Sequence, residues 1–344
     1  MLPLLKIQIE FGNNIVKSFV IQPQEFNLRR IRKSADALRF CTVNRKRKMR
    51  YFFYNSNYVI IVRMVMREFN EKLELTNKGG LSFFFVGVGG AFSKKYFQNN
   101  LLIIKGNEHI LVDCGTLCPL SLTTFNANIT DIKTFLITHS HADHAGGLEE
   151  AALMNMYVTR RRPKMIITDE YKKKLWENTI KGGCSIRGED NMPKYMKFDD
   201  YFEQIRPVKI EGMPRPMHEI NIGTINLKLF RTKHLFLSTD TWENSFYSVG
   251  LIIDDRIVFT GDTKTDFELI DWLVTKYNPE VIFHDCQLGK NAVHAWYQEL
   301  KVFPQDIKKR IYLCHYGDKD PEHENEIKTD GFAGIAKRGV YYDF

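Results

Sequence analysis

Between Thr138 and Leu148 the chain reads THSHADHAGGL, which sets three histidines and an aspartate within six residues of a 344-residue sequence that holds only ten histidines. Four ionisable side chains on one short loop gain little from packing, and removing them from water costs free energy unless something partners them. A bound cation meets that demand. In the pattern H-x-H-x-D-H, His139 and His141 alternate along an extended segment and emerge on one side, while Asp143 and His144 turn past its end towards a second point. Two ions fit this geometry better than one. The following Ala145-Gly146-Gly147 lets the backbone turn tightly into a helix beside them.

More ligands must come from later in the chain, and His234 in RTKHLF, Asp262 in FTGDT and His315 in LCHYGD stand where strands are expected to end. LSFFFVGVGG reads as a buried strand closing in glycines, NNLLIIKGNEHILVDCG as strand, turn and strand, and IKTFLITHSH as the strand that delivers the histidines. EVIFHDCQ and RIYLCHYGD repeat the arrangement. Apolar strands that end in ionisable residues at their C-terminal tips are the signature of a layered α/β site.

The rest of the sequence sets limits. With 44% hydrophobic and 13% aromatic residues the chain can bury a large core. The opening MLPLLKIQIEF is too short and too soon charged for a membrane span or cleavable signal, so a cytoplasmic protein without membrane contact is expected. The six cysteines lack framework spacing and read as reduced thiols; Cys114 and Cys118, without a second pair, read as small buried residues rather than a zinc knot. Residues 1–78 hold 16 Lys plus Arg against 6 Asp plus Glu, a net +10, whereas the remainder carries −2. Within that basic part, 6–21 and 49–66 read as hairpins around Gly12-Asn13-Asn14 and Asn55-Ser56-Asn57, and 27–41 as a short helix. The run NRKRKMR at 44–50 is a candidate nucleic-acid contact. Lys78-Gly79-Gly80 marks the expected boundary between a small N-terminal α+β domain, 1–78, and the main domain, 79–344.

The motifs THSHADHAGG, FTGDT and LCHYGD, in that order after a GVGG turn and a DCG turn, resemble the metallo-β-lactamase superfamily over residues 80–344. Within it they resemble the phosphodiesterase branch that contains tRNase Z and the anti-Pycsar cyclic-nucleotide phosphodiesterases. The resemblance implies an αββα sandwich. It implies one ion on His139, His141 and His234, a second on Asp143, His144 and His315, and Asp262 shared between them, with Asp113 of VDCG orienting a ligand histidine. The nitrogen and oxygen donors suit Zn2+, with Mn2+ or iron as alternatives.

A pair of cations about 3.5–4 Å apart activates water for attack on phosphorus. The leaving alkoxide then needs a proton, and Asp285 with His294 in VIFHDCQLGKNAVHAWYQEL resembles the carboxylate and histidine dyad of tRNase Z-like enzymes, with Asp in place of Glu and His294 opening a helix. Asp143, Asp285 and His294 are thus the catalytic candidates. There is no glycine- and proline-rich arm of the tRNA-clamping kind; Lys164 to Met217 reads as two amphipathic pieces around a Lys181-Gly182-Gly183 hinge. Phe236, Trp242, Phe246 and Tyr247 are candidates to stack on a base, and Asn99, Asn100 and Thr116 to touch phosphate or sugar. The expectation is a dinuclear phosphodiesterase for 3′,5′-cyclic nucleotides, pyrimidine signals of anti-phage defence among them, working as a homodimer whose lid reaches the partner's site. The alternatives are a tRNase Z-like nuclease on RNA or DNA and a scaffold that has lost catalysis.

Overall fold

An apolar run without polar alternation, such as SFFFVG, requires a sheet covered on both faces. The computed structural model describes residues 5–11, 14–21, 51–55, 58–62, 64–189, 192–235, 241–289 and 293–344. The helix expected at 27–41, the basic run 44–50 and Phe236 lie outside them. The chain divides into two units, Met1–Arg67 with Tyr342–Phe344, and Glu68–Tyr341. In the first unit Leu5–Phe11 pairs antiparallel with Asn14–Ile21, and Tyr51–Asn55 with Tyr58–Val62. The second unit begins ahead of Lys78-Gly79-Gly80, because backbone N–H groups of Phe69, Leu73 and Asn77 donate to the carbonyls of Gly339, Phe125 and Gly106 at 3.1, 3.0 and 2.8 Å.

In the second unit one sheet carries, side by side, Glu203–Ile205, Lys164–Ile166, Thr134–Leu136, Glu108–Val112, Asn100–Lys105 and Ser82–Gly87. The other is eight-stranded and follows chain order from Val208–Ile210 through Met217–Ile222, Ile225–Arg231, Val249–Ile253, Ile257–Phe259, Val281–Asp285 and Ile311–Cys314 to Gly334–Ile335. Alternation along Ser82–Gly87 shows why every residue there is buried. Phe83 and Phe85 point into the space between the sheets and meet Phe283, at ring distances of 5.8 and 5.0 Å. Phe84 points the other way and meets Phe125 at 4.9 Å and Tyr341 at 4.6 Å. Truncating any of these rings to Ala costs about 3–5 kcal/mol.

Helices cover the outer faces. Phe267–Tyr277 carries the chain from Ile257–Phe259 to its parallel neighbour Val281–Asp285. Asp266 caps it by accepting from the Leu269 N–H, Leu269, Ile270 and Leu273 are buried, and Asn278 ends it in the left-handed region at φ 46°. The segment 164–205 differs from expectation. Lys181-Gly182-Gly183 lies inside a helical stretch that runs from Asp169 to Cys184, and a Cβ on Gly183 would strike the Glu149 carboxylate. That carboxylate is the movable end of a flexible side chain and Gly182 meets nothing, so the glycines continue a helix instead of separating two pieces. Beyond it an exposed hairpin, Ile186–Glu189 with Met192–Tyr195, precedes the return to the sheet. No helix among the described residues is long and apolar enough to cross a membrane.

Candidate active site

The strand ends converge. Asp113 follows Glu108–Val112, His139 and His141 follow Thr134–Leu136, His234 follows Ile225–Arg231, Asp262 follows Ile257–Phe259, Asp285 closes Val281–Asp285, and His315 follows Ile311–Cys314. Backbone bonds lock these tips together: Val249 N–H donates to Thr138 O at 3.2 Å, Lys264 N–H to Lys233 O at 2.6 Å, and His315 N–H to Val88 O at 2.8 Å. Glycines permit the approach. A Cβ on Gly115 would strike the Asp143 carbonyl, and one on Gly147 would come within 2.6 Å of Gly115 O. Asp113 and His315 adopt φ of 66° and 62°, a left-handed conformation that costs a non-glycine residue about 1–3 kcal/mol and collects at functional sites.

Three donor groups share these tips, each with ligand atoms mutually within 4.8 Å: His139, His141 and His234; Asp143, His144, Asp262 and His315; and Asp262, Asp285, His294 and His315. In the first, His141 Nδ1 lies 3.0 Å from His139 Nε2 and 3.2 Å from His234 Nε2. Donors about 2.0–2.1 Å from a tetrahedral zinc sit about 3.3 Å apart, so these spacings suit a shared cation. In the second, Asp143 Oδ2 lies 3.1 Å from His144 Nε2 and 3.3 Å from His315 Nε2. One oxygen joins the halves. Asp262 Oδ2 lies 3.2, 3.4, 3.7 and 3.9 Å from the Nε2 atoms of His144, His315, His139 and His234.

Asp113 sets the tautomers behind this ring. Its Oδ2 accepts from His144 Nδ1 at 2.7 Å, and it also accepts the Thr138 hydroxyl, whose oxygen lies 3.0 Å from His139 Nδ1. Both imidazoles thereby point Nε2 inward, where a cation can take the place of its proton. Thr138 has no place among the sequence candidates, although a hydroxyl directly ahead of H-x-H on a strand end was the available signal.

Electrostatics separates the halves. Burial pushes His139 well below the ordinary histidine value and His234 down to about 4, so both present neutral imidazole. Burial also lowers His141. His144 goes the other way: burial opposes its charge, but Asp262, Asp143 and Asp113 outweigh that and raise it well above normal. Three carboxylates around one imidazole demand positive charge. His144 Nε2 and Asp262 Oδ1, both buried, make no hydrogen bond, which a divalent cation on these donors would resolve.

The dyad forms as expected, with His294 Nδ1 2.8 Å from Asp285 Oδ2. Burial opposes the charge on His294, yet Asp285 raises it to about 9. His294 does not open a helix. It lies in a bend ahead of Tyr297–Leu300, held by a bridge between Gln287 and Trp296, because Gln287 N–H donates to Ala295 O at 2.9 Å and Tyr297 N–H to Gln287 O at 3.0 Å. Asn99 and Asn100 are buried, as most of the donor residues are. Asn100 ties loops, accepting from Gly115 N–H at 3.1 Å and donating to Asp143 O at 3.5 Å. The Thr116 hydroxyl donates to Ala142 O. Phe246 stacks on His141 at 5.0 Å and Tyr247 on Tyr171 at 4.4 Å, while Trp242 lines a separate cavity beside Lys233 with Trp272.

A family model described as anti-Pycsar protein Apyc1 matches residues 81–342. The chain belongs to the anti-Pycsar Apyc1 family. It is 37% identical over 234 residues to the anti-Pycsar protein Apyc1 of Paenibacillus sp. (strain J14), a match covering 68% of this chain and 88% of that protein. It is also 37% identical over 240 residues to the Apyc1 protein of Bacillus phage BSP38, with the same coverage. The metallo-β-lactamase fold protein YhfI from Bacillus subtilis superposes with a TM-score of 0.56 at 16% identity, over 77% of this chain and 100% of that one. The αββα sandwich is thus the metallo-β-lactamase fold, and the Apyc1 match begins at Leu81, beyond the basic segment.

Proposed function

We propose that this protein is a metal-dependent phosphodiesterase that opens 3′,5′-cyclic mononucleotides, pyrimidine ones among them, to 5′-monophosphates, removing a defence signal. The observation that carries the reading is Asp262 Oδ2, set among four inward-facing Nε2 atoms beside a paired His294 and Asp285. His139, His141 and His234 would hold one ion and Asp143, His144 and His315 another, with Asp262 common to both. Nitrogen and oxygen donors without thiolate favour zinc, with manganese a weaker fit. Such ions supply the charge that makes water nucleophilic near neutral pH and neutralises phosphoryl oxygens.

The chain's own residues do the rest. As water adds to phosphorus the P–O3′ bond breaks, and O3′ takes a proton from His294, whose Nδ1–H is held by Asp285 so that Nε2–H is free to donate. The proton lost by the attacking water restores His294 over the cycle. Asp143 fixes the position of His144 and His315 while it ligates. A dyad of this kind has no task in β-lactam or thioester cleavage, and it is what turns the reading towards phosphodiesters.

Homodimer formation belongs to the same proposal. Tyr157 and Val158, 45% and 64% exposed, border with Leu153 and Met154 a groove that Glu149 and Glu150 also line, the surface we assign to a second copy. Sedimentation of V158D against the parent protein tests it. The substrate is tested by incubating zinc-loaded protein with cyclic mononucleotides, cyclic dinucleotides and a pre-tRNA side by side. Loss of the mononucleotides is expected; loss of the pre-tRNA alone would favour the nuclease reading, and metal-loaded protein that spares all three would leave the scaffold.

A further inference from the structure

Asp285 does more in this fold than orient His294. Its Oδ2 accepts from His294 Nδ1 at 2.8 Å and from the backbone N–H of Thr263 at 2.9 Å. Thr263 directly follows Asp262, so the same carboxylate pins the loop that presents the shared ligand. Its other oxygen faces a different partner: Oδ1 lies 3.5 Å from His315 Nδ1. Each of these two atoms is buried and each lacks a hydrogen bond, although one is a carboxylate oxygen and the other the outward nitrogen of an imidazole. His315 turns its Nε2 the opposite way, towards Asp143 and Asp262 at 3.3 and 3.4 Å. His315 and His294 stack with ring centres 4.5 Å apart, so one carboxylate can serve both rings from their edges.

We propose that Asp285 is a positioning residue for two imidazoles at once: it holds the proton donor His294 and it seats His315 for metal binding, so that ion occupancy of the Asp143, His144 and His315 half and proton delivery depend on one side chain. The inference rests on the reading of these donors as a metal centre. Physically, a cation drawing on His315 Nε2 makes its Nδ1–H a stronger donor, and the nearest unsatisfied buried acceptor is Asp285 Oδ1. The arrangement mirrors Asp113, whose carboxylate backs His144 directly and His139 through Thr138.

The test measures zinc affinity, not turnover. Chelator competition is run on the parent protein, H294N and D285N, with zinc ions alone as the probe. H294N is expected to bind zinc as the parent does, whereas D285N loses about 10–100-fold in affinity for one of two equivalents and keeps the other. D285N with parental affinity for both equivalents overturns the inference and leaves the metal-centre reading intact. A parent protein that binds no zinc overturns both. Should D285N fail to fold, the parent protein decides alone: the His315 Nδ1–H of the zinc-loaded form should appear in NMR as a slowly exchanging, downfield proton, and its absence rejects the seat.

Discussion

The two halves of the donor ring are built from unlike material. His139, His141 and His234 offer three imidazoles that burial keeps neutral, and His141 is partly open to solvent. Asp143, His144 and His315 are all buried and include a carboxylate, and Asp113 backs His144 without an intermediary. One imidazole in each half, His234 and His315, has a buried Nδ1 with no hydrogen-bond partner. Its carboxylate charge thus favours the second half, so an ion there should be held more tightly and one on the three imidazoles should exchange more readily.

Removing what the halves share should have the largest effect. D262N takes the common oxygen from both, and turnover of cyclic mononucleotide should fall to background together with the bound zinc, read by atomic absorption. Next comes H294N, which leaves both halves intact: zinc content should stay parental while kcat falls about 10²–10⁴-fold. Retained zinc with unchanged kcat would remove His294 from the reaction. The pH profile sharpens the point. Asp285 raises His294 to about 9, so the acid form needed for proton delivery is present below that value and is lost as pH rises through it. In D285N the alkaline limb of kcat should move to lower pH, because the carboxylate that stabilises the proton is gone.

The same contrast explains what could be read in advance. Two of the three donors of each half, His139 with His141 and Asp143 with His144, lie in one short stretch, where crowding alone exposes them. His234, Asp262, Asp285 and His315 were legible because each ends an apolar strand, and the αββα sandwich gathers such ends at one edge. Their supports were less legible. Thr138 and Asn100 carry no unusual residue type, and only the fold shows that one relays Asp113 to His139 and the other ties Gly115 to Asp143. Asn100 reads in the sequence as a candidate to touch phosphate or sugar, and the structure shows what its amide holds meanwhile: the Gly115 N–H and the Asp143 carbonyl. Lys181-Gly182-Gly183 reads as a hinge because glycine weakens helices, yet here the helical stretch runs on through it to Cys184.

Support residues give the intermediate effects. Asp113 serves both halves, so D113N should weaken zinc binding at each by about 10–100-fold. T138V cuts the relay to His139 and keeps shape while His144 stays bonded directly to Asp113, so the three-imidazole equivalent should weaken more than the other. Equal loss of both equivalents in T138V would erase the distinction between halves.

The smallest expected effect comes from Phe246, whose ring lies within 6° of parallel to His141 at a centre distance of 5.0 Å and edge-on to His139 at 6.2 Å. It is tied to the ligand loop, since its N–H donates to the His234 carbonyl at 3.0 Å. A ring flat against an imidazole restricts its rotation and sheds water from one face, both of which favour the inward Nδ1 that meets His139 and His234. F246L keeps the bulk and removes the stack, a loss of about 0.5–1.5 kcal/mol. Zinc affinity of the three-imidazole half should therefore drop about 2–10-fold, while the carboxylate half and the melting temperature of the zinc-free protein stay close to parental. A shift in the carboxylate half instead would mean that the two sites communicate through Asp262, because no stacking partner of Phe246 belongs to that half.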